Sequence, residues 1–518
     1  MSRRLQRSAL TVTGALLFSG TSSAVDPVLP VPDGWYAGDA HVHRNFACWG
    51  VSPPDEILAA MPLDLRFASV LIWCAGGRFV DDAETYFQGR EDDPVSTPTQ
   101  VVHYDLEVSA CNMADLLGHG VYLYLEDIWF PPANTNGPIQ DWARAQGAFV
   151  GVDHLQFFAS DYDHFPPTWG CCRPYEAPVA MALGRVDYVS FQPDSVSTPW
   201  RFFYYTMLDC GFRPGLVEST DSHCLPNPIG SKRTYARILG EVTYGNWAEA
   251  VAAGRVSTAE DSNNFLHFTV DGVETGGQVE VAAGTPLSLQ VTVSFPEGLL
   301  RTGIVEIVRN QEVVASRMYS QVGGEVVLTA TDTPSRSAWY AARTARSHTG
   351  AVYAVIDGQP IRASVRSPEY YVDYMDWFTN LVESGFFPHL TPDDVVALLA
   401  DVEQARSVYL NIKAEAEQAS SAPVVSSPAQ VKALPNPFRA STTISFPVDR
   451  ASTALVEVFG PDGRSVRRLS GGATPAGTMH AEWDGRDSTG RVVASGVYLI
   501  RVTSGGTVLA EGKVVRLR

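Results

Sequence analysis

Trp35-Tyr36-Ala37-Gly38-Asp39-Ala40-His41-Val42-His43 is a short β-like run ending in two histidines at spacing two. Side chains two apart on a strand share a face, so both imidazoles can meet one metal ion. Asp221-Ser222-His223 repeats that spacing just past a second β-like run at 216–219. A carboxylate and an imidazole so placed make a plausible ligand pair; the same residues would also serve as a turn in which Asp221 caps a helix.

Working outward, strand candidates fall at 36–43, 66–73, 121–125, 148–154, 186–191, 216–219 and 235–239. Helical stretches at 54–60 and 139–146 lie between them, and one at 246–253 follows. Strand–helix alternation predicts a mostly parallel sheet or barrel. Three further ligand-type residues lie in this half. Glu107 sits in Tyr104-Asp105-Leu106-Glu107-Val108, His119 between Gly118 and Gly120, and His154 at the end of the 148–154 run. A carboxylate buried at Glu107 is costly unless a cation or several donors satisfy it. His154 taken alone reads as a core histidine bonded to a backbone carbonyl. Taken together, five segments each place a ligand-type residue at or beside the end of a strand-like run, which points to a metal centre. His103 and His164 read as surface or structural residues, His164 in a loop rich in Trp, Tyr and Pro that could cover the site.

Beyond 261 the pattern changes. Runs at 265–270, 287–295, 303–309, 324–330, 339–345 and 352–357, separated by Gly, Pro and polar turns, predict a β-sandwich over residues 261–367. Residues 368–418 return to helical spacing, with Val395, Leu398, Leu399, Val402 and Ala405 near one face. A Ser-, Ala- and Pro-rich linker over 419–432 leads into a second all-β module at 433–518. The expected fold class is therefore multidomain, α/β plus all-β, with the catalytic unit at 25–260.

At 518 residues the chain is too long for one compact core. Its net charge of −19 argues against nucleic acid, which needs a concentrated basic face. The charge is uneven: eleven Lys and Arg against seven Asp and Glu make residues 433–518 about +4 and leave about −23 for the rest, which supports a separate C-terminal module. Arg3, Arg4 and Arg7, an apolar run at 9–18 and Ser22-Ser23-Ala24 read as a signal peptide over residues 1–24, cleaved after Ala24. Such a run is too short to cross roughly 30 Å of hydrocarbon, and no later stretch spans a bilayer. A secreted or cell-surface location follows. Seven cysteines lie between Cys48 and Cys224, and the odd count leaves at least one thiol unpaired.

The stretch from Trp35 to His43 resembles the opening of the polymerase and histidinol phosphatase (PHP) metallohydrolases. Ser219-Thr220-Asp221-Ser222-His223, with Gly230-Ser231-Lys232-Arg233-Thr234-Tyr235 after it, resembles the CehA/McbA branch of that superfamily. Ser347-His348-Thr349-Gly350-Ala351-Val352-Tyr353 and Asp357-Gly358-Gln359-Pro360 resemble the family's companion module. The resemblance covers roughly 33 to 385 and implies a distorted (β/α)7 barrel with metals at its C-terminal mouth. Carried over by position, it implies one divalent ion (Zn, Mn or Fe) on His41, His43, Glu107 and Asp221. Glu107 would bridge to a second ion on His119 and His154, and His223 would face a third. The third site departs from the pattern. Leu71-Ile72-Trp73-Cys74 stands where the family often has an acid and a His, and Cys48-Trp49-Gly50 where it has another His. That leaves the third metal doubtful. It also suggests either a Cys48–Cys74 disulfide over the mouth, which export favours, or two thiolates in a modified site. Asp39 is expected to orient a ligand histidine. Lys232 and Arg233 are candidates for holding an anionic leaving group, or are a solvated loop.

Leu434-Pro435-Asn436-Pro437-Phe438, Val456-Glu457-Val458-Phe459-Gly460, Trp483-Asp484-Gly485-Arg486-Asp487 and Ser495-Gly496-Val497-Tyr498-Leu499 together resemble FlgD-like immunoglobulin modules and the sorting domains of type IX secretion cargo. That resemblance implies export machinery as a partner. The expected function is hydrolysis of a small-molecule ester, a phosphoester or a carboxyl ester or carbamate, at a di-metal centre. The alternative is an exported adhesin or carbohydrate-binding protein with an inactive metal-binding barrel.

Overall fold

A computed structural model describes residues 29–44, 52–75, 78–79, 83–109, 116–166, 172–191, 199–222, 227–260, 264–421, 429–448, 452–460, 464–474, 477–504 and 507–518. The expected signal peptide, Cys48 and His223 lie outside them.

The chain is mixed α/β with a β-sandwich-like C-terminal region. In the first half the main strands are β1 (Trp35–His43), β2 (Leu65–Ala75), β3 (Val101–Ser109), β4 (His119–Leu123), β5 (Phe149–Val152), β6 (Tyr188–Phe191), β7 (Gly215–Glu218), β8 (Lys232–Arg237) and β9 (Val256–Glu260). They belong to a sheet that closes on itself. β1, β2 and β3 pair in parallel, as do β5, β6 and β7. β4 runs against both of its neighbours, and β8 runs against β1 and β9. The sheet is therefore mixed rather than mostly parallel. A parallel pair needs a crossover of about a dozen residues or more, and Ser109 and His119 lie too close in sequence to allow one.

β3 carries Glu107 and was not among the strands expected. Its sequence VVHYDLEVS alternates polar and apolar residues, yet every residue is buried. His103, Asp105, Glu107 and Ser109 share one face, and Tyr104, Leu106 and Val108 pack in the layer outside. A sheet covered on both faces hides polar residues as well as apolar ones, so alternation here does not signal a wet side.

Helices α1 (Pro54–Ala60), α2 (Asn136–Ala145), α3 (Ala177–Ala182), α4 (Pro199–Cys210) and α5 (Tyr244–Ala252) accompany these strands. The 368–418 stretch is two helices, α6 (Arg366–Glu383) and α7 (Pro392–Ser421). They pack on the first half: Tyr371 stacks on Tyr409 at 4.9 Å, Tyr374 donates to the Tyr175 carbonyl at 2.8 Å and Tyr409 to that of Pro178 at 2.7 Å. Trp339, from the strand Ala338–Arg343, joins the same apolar cluster.

Over 261–367, where a β-sandwich is expected, the strands belong to the same closed sheet as those of the first half. The runs expected at 287–295 and 303–309 are a single strand, Leu287–Arg309, paired antiparallel with Glu312–Asp332. Pro296-Glu297-Gly298 reads as a turn, but the chain absorbs it as an irregularity between Phe295 and Leu300. The C-terminal module has a five-stranded and a three-stranded sheet around its own core of Phe438, Phe446, Val458, Trp483 and Ile500.

Candidate metal centre

The rim of the first-half sheet collects the ligand-type residues. β1 ends on His41 and His43, and Glu107 lies two residues before the end of β3. The reversal of β4 places its first residue, His119, opposite Ser109 at that same rim. His154 follows β5 and Asp221 follows β7, and both adopt left-handed backbone, φ 57° and φ 50°. Non-glycine residues held there carry a conformational cost that surrounding structure must sustain, and such residues gather at functional sites.

Four atoms converge. His41 Nε2 lies 3.1 Å from His43 Nε2, 3.5 Å from Glu107 Oε2 and 3.5 Å from Asp221 Oδ1. His43 Nε2 lies 3.4 Å from Glu107 Oε2 and 3.2 Å from Asp221 Oδ1. Ligands about 2.1 Å from a common centre stand about 3.4 Å apart at the corners of a tetrahedron. These five separations fit those edges. A second group forms around the other oxygen of Glu107: His119 Nδ1 is 2.5 Å from Oε1, and the rings of His119 and His154 stand 4.3 Å apart. Each trio, His41–His43–Glu107 and Glu107–His119–His154, brings its ligand atoms within 4.8 Å of one another. Asp221 spans the two groups as well, with Oδ2 4.0 Å from His154 Nε2.

Glu107 tests whether a cation fits. Its side chain is fully buried, and the imidazoles of His41, His43 and His119 face its two oxygens. Burial alone would raise its pKa, but the His119 and His41 rings hold the carboxyl well below the usual carboxylate range. Burial, with His119 alongside, pulls His154 down to about 4, so its ring is neutral and able to ligate at neutral pH. Against its burial, the Asp153, Asp221 and Glu107 carboxylates push His41 the other way, well above the usual imidazole range. Buried carboxylate oxygens and imidazole nitrogens converging on one point are a donor set that a divalent cation satisfies.

The residue that orients His41 is Asp153, which the sequence reading missed. Asp153 is fully buried, takes the Nδ1 side of His41 and accepts the His154 backbone N–H at 2.7 Å. An Nδ1 proton held by a carboxylate leaves Nε2 with its lone pair, the tautomer a metal ligand needs. Asp39, expected in that role, instead binds the Asp221 turn. It accepts the backbone N–H groups of Thr220 at 3.0 Å and Gly230 at 2.9 Å and the Thr220 hydroxyl, and reaches His41 only at its backbone N–H, 3.3 Å away. Replacing Asp153 with Asn turns an obligate acceptor into a side chain able to present a donor to His41. Metal affinity is expected to fall about 10- to 100-fold, with far-UV circular dichroism unchanged; competitive titration with a metal-chelating dye measures the shift.

The other expected residues are placed as follows. Lys232 opens β8, half-buried, and pairs through its backbone with Glu260. Arg233 is buried, with Nη1 2.9 Å from Asp64 and Nε donating to the Gly230 carbonyl at 2.8 Å, so it is committed to the fold and not to an anionic leaving group. His103 is structural, stacked on Tyr244 at 3.9 Å with Nδ1 2.9 Å from Asp92. His164 is exposed beside Asp161. Cys74 is a buried thiol rather than half of the expected disulfide; Cys172 is disulfide-bonded. Trp73 stands over the site, its ring 6.1 Å from that of His43.

No curated protein matches the chain. Two solved FlgD structures are similar to part of it. The one from P. aeruginosa is 24% identical, covering 14% of this chain and 59% of its own, with a TM-score of 0.14. That from Xanthomonas campestris is 28% identical, covering 17% and 62%, also with a TM-score of 0.14. The chain thus spans about three-fifths of the length of these FlgD chains. Latent PorU from Porphyromonas gingivalis is 12% identical over 48% of this chain and 20% of its own, with a TM-score of 0.19. Residues 438–507 match the family model of the FlgD Ig-like domain. The chain carries a FlgD Ig-like domain at its C-terminus.

Proposed function

We propose that the chain is an exported metal-dependent hydrolase that cleaves a phosphoester or a carboxyl ester or carbamate. One observation carries this reading: five separations of 3.1–3.5 Å among His41, His43, Glu107 and Asp221, continued through the second oxygen of Glu107 to His119 and His154. The resemblance to PHP metallohydrolases of the CehA/McbA branch supports a distorted (β/α)7 barrel around this centre, and Zn, Mn or Fe all suit its donors. Cations held there would supply an acidified water at neutral pH and polarise the ester oxygen.

The chain's own residues do the rest. Glu107 and Asp221 each offer one oxygen to either group and so set the spacing between the two positions. Asp153 fixes the ring of His41, and Asp39 fixes the turn that presents Asp221. Trp73, with its ring N–H donated to Ser109, and Phe157, with its ring 5.9 Å from that of His154, set aromatic rings beside two of the ligand histidines. The FlgD Ig-like domain, together with the resemblance to type IX sorting domains, supports export or display at the cell surface. Among the described residues no helix is long and apolar enough to cross a membrane.

Elemental analysis of the purified chain should give about two divalent metals per chain, as the proposed di-metal centre requires. Aryl phosphate, aryl ester and aryl carbamate reporters assayed side by side should show turnover of at least one class, lost on chelation and restored by metal. Metal without turnover of any class would favour the inactive-barrel alternative; neither metal nor turnover would end the reading.

A further inference from the structure

We propose that the chain forms a two-fold dimer through the outer face of the Leu287–Arg309 and Glu312–Asp332 ribbon. The ribbon's register sets Leu300 opposite Val322, Thr302 opposite Ser320 and Ile304 opposite Met318. Residues two apart on paired strands share a face, so these six side chains form one stripe. Its apolar members are open to solvent: Leu300 is 62% exposed, Ile304 48%, Met318 81% and Val322 58%. The inner face differs, with Val305 buried and Tyr319 packed on Phe295 at 4.9 Å.

The order of the stripe selects the partner. An apolar pair, a hydroxyl pair and a second apolar pair read the same from either end. A two-fold axis through the Thr302–Ser320 pair, lying either along or across the strands, sets apolar on apolar and hydroxyl on hydroxyl. An interface between identical copies requires that self-complementarity, and a partner of another kind would not. The hydroxyl pair at the centre also gives register, since a slip by one pair would bury it under methyl groups without partners.

Size is consistent with the assignment. The four apolar side chains leave on the order of 400 Å² uncovered, within the range of the largest patch on a monomer, where such patches are often functional. Two stripes with their polar rims bury about 1,000 Å² in all, the lower bound for a specific association. The Glu306–Arg343 ion pair bounds the stripe at one end and the irregularity between Phe295 and Leu300 at the other.

Sedimentation velocity on the full chain over about 1–100 μM, a window suited to a small interface, tests the proposal. The wild type should shift from monomer to dimer, and Met318→Glu should remain monomeric at the top of that range. Val396→Glu, an exposed position on α7, serves as control and should dimerise like wild type. All three should give the same circular dichroism. A wild type monomeric throughout, a Met318→Glu dimer, or loss of the dimer in the control would each overturn the assignment. Metal content is a separate readout, so failure here leaves the proposed centre standing and the converse also holds.

Discussion

Glu107→Gln is expected to empty the metal centre and stop hydrolysis. Glu107 alone takes part in both ligand trios, with one oxygen directed to His41 and His43 and the other to His119. Gln keeps the shape but loses the negative charge and one of the two acceptors, so neither cation position keeps its full donor set. Metal content should drop from about two per chain to below one, and kcat/KM on the responsive reporter should fall about 1,000-fold or more, equivalent to about 4 kcal/mol of transition-state stabilisation. Mass spectrometry of metals and steady-state kinetics on the same preparation check both. Full metal content in the variant would contradict the bridging role of Glu107.

Chelation should lower the melting temperature of the first half while sparing the C-terminal module. A ligand that binds only the folded state stabilises it by about 4 kcal/mol when its free concentration is 1,000 times Kd. For a domain of 150–250 residues that corresponds to roughly 8–16 °C. Cations held at the proposed centre would touch five chain segments and so would tie β1, β3, β4, β5 and the turn after β7 together. The C-terminal module has a separate core around Trp483 and none of the proposed ligands. Calorimetry should therefore show one transition that moves with metal and one that does not. Coincident movement of both, or of neither, would contradict a centre confined to the first half.

The ligand types were legible because they follow short-range rules. Spacing two on a strand declared that His41 and His43 share a face, and Glu107 stood out as a carboxylate that burial would penalise without a partner, whereas His154 entered only through the joint pattern of ligand-type residues at strand ends. The C-terminal module was legible from its Asp-Gly turns and its change of charge. What stayed hidden depends on pairing and backbone handedness. β3 was missed because its polar face points into a closed sheet rather than to water, which alternation by itself cannot distinguish. Asp153 was missed because neighbours on a strand point to opposite faces, whereas the left-handed turn at His154 brings Asp153 to His41 and His154 to the same centre. Arg233 was placed near the leaving group by its closeness to Asp221 in sequence, but β8 begins at Lys232 and directs Arg233 to Asp64.

The amino-acid order alone determined which side chains are of a type able to hold cations and that a FlgD-like module lies at the C-terminal end, since both follow from residue type and local pattern. Only the tertiary structure decided that β4 reverses to bring His119 to the rim and that Asp153 rather than Asp39 holds His41. Those outcomes depend on strand direction and on left-handed backbone at His154 and Asp221, which long-range packing sustains and no local pattern encodes.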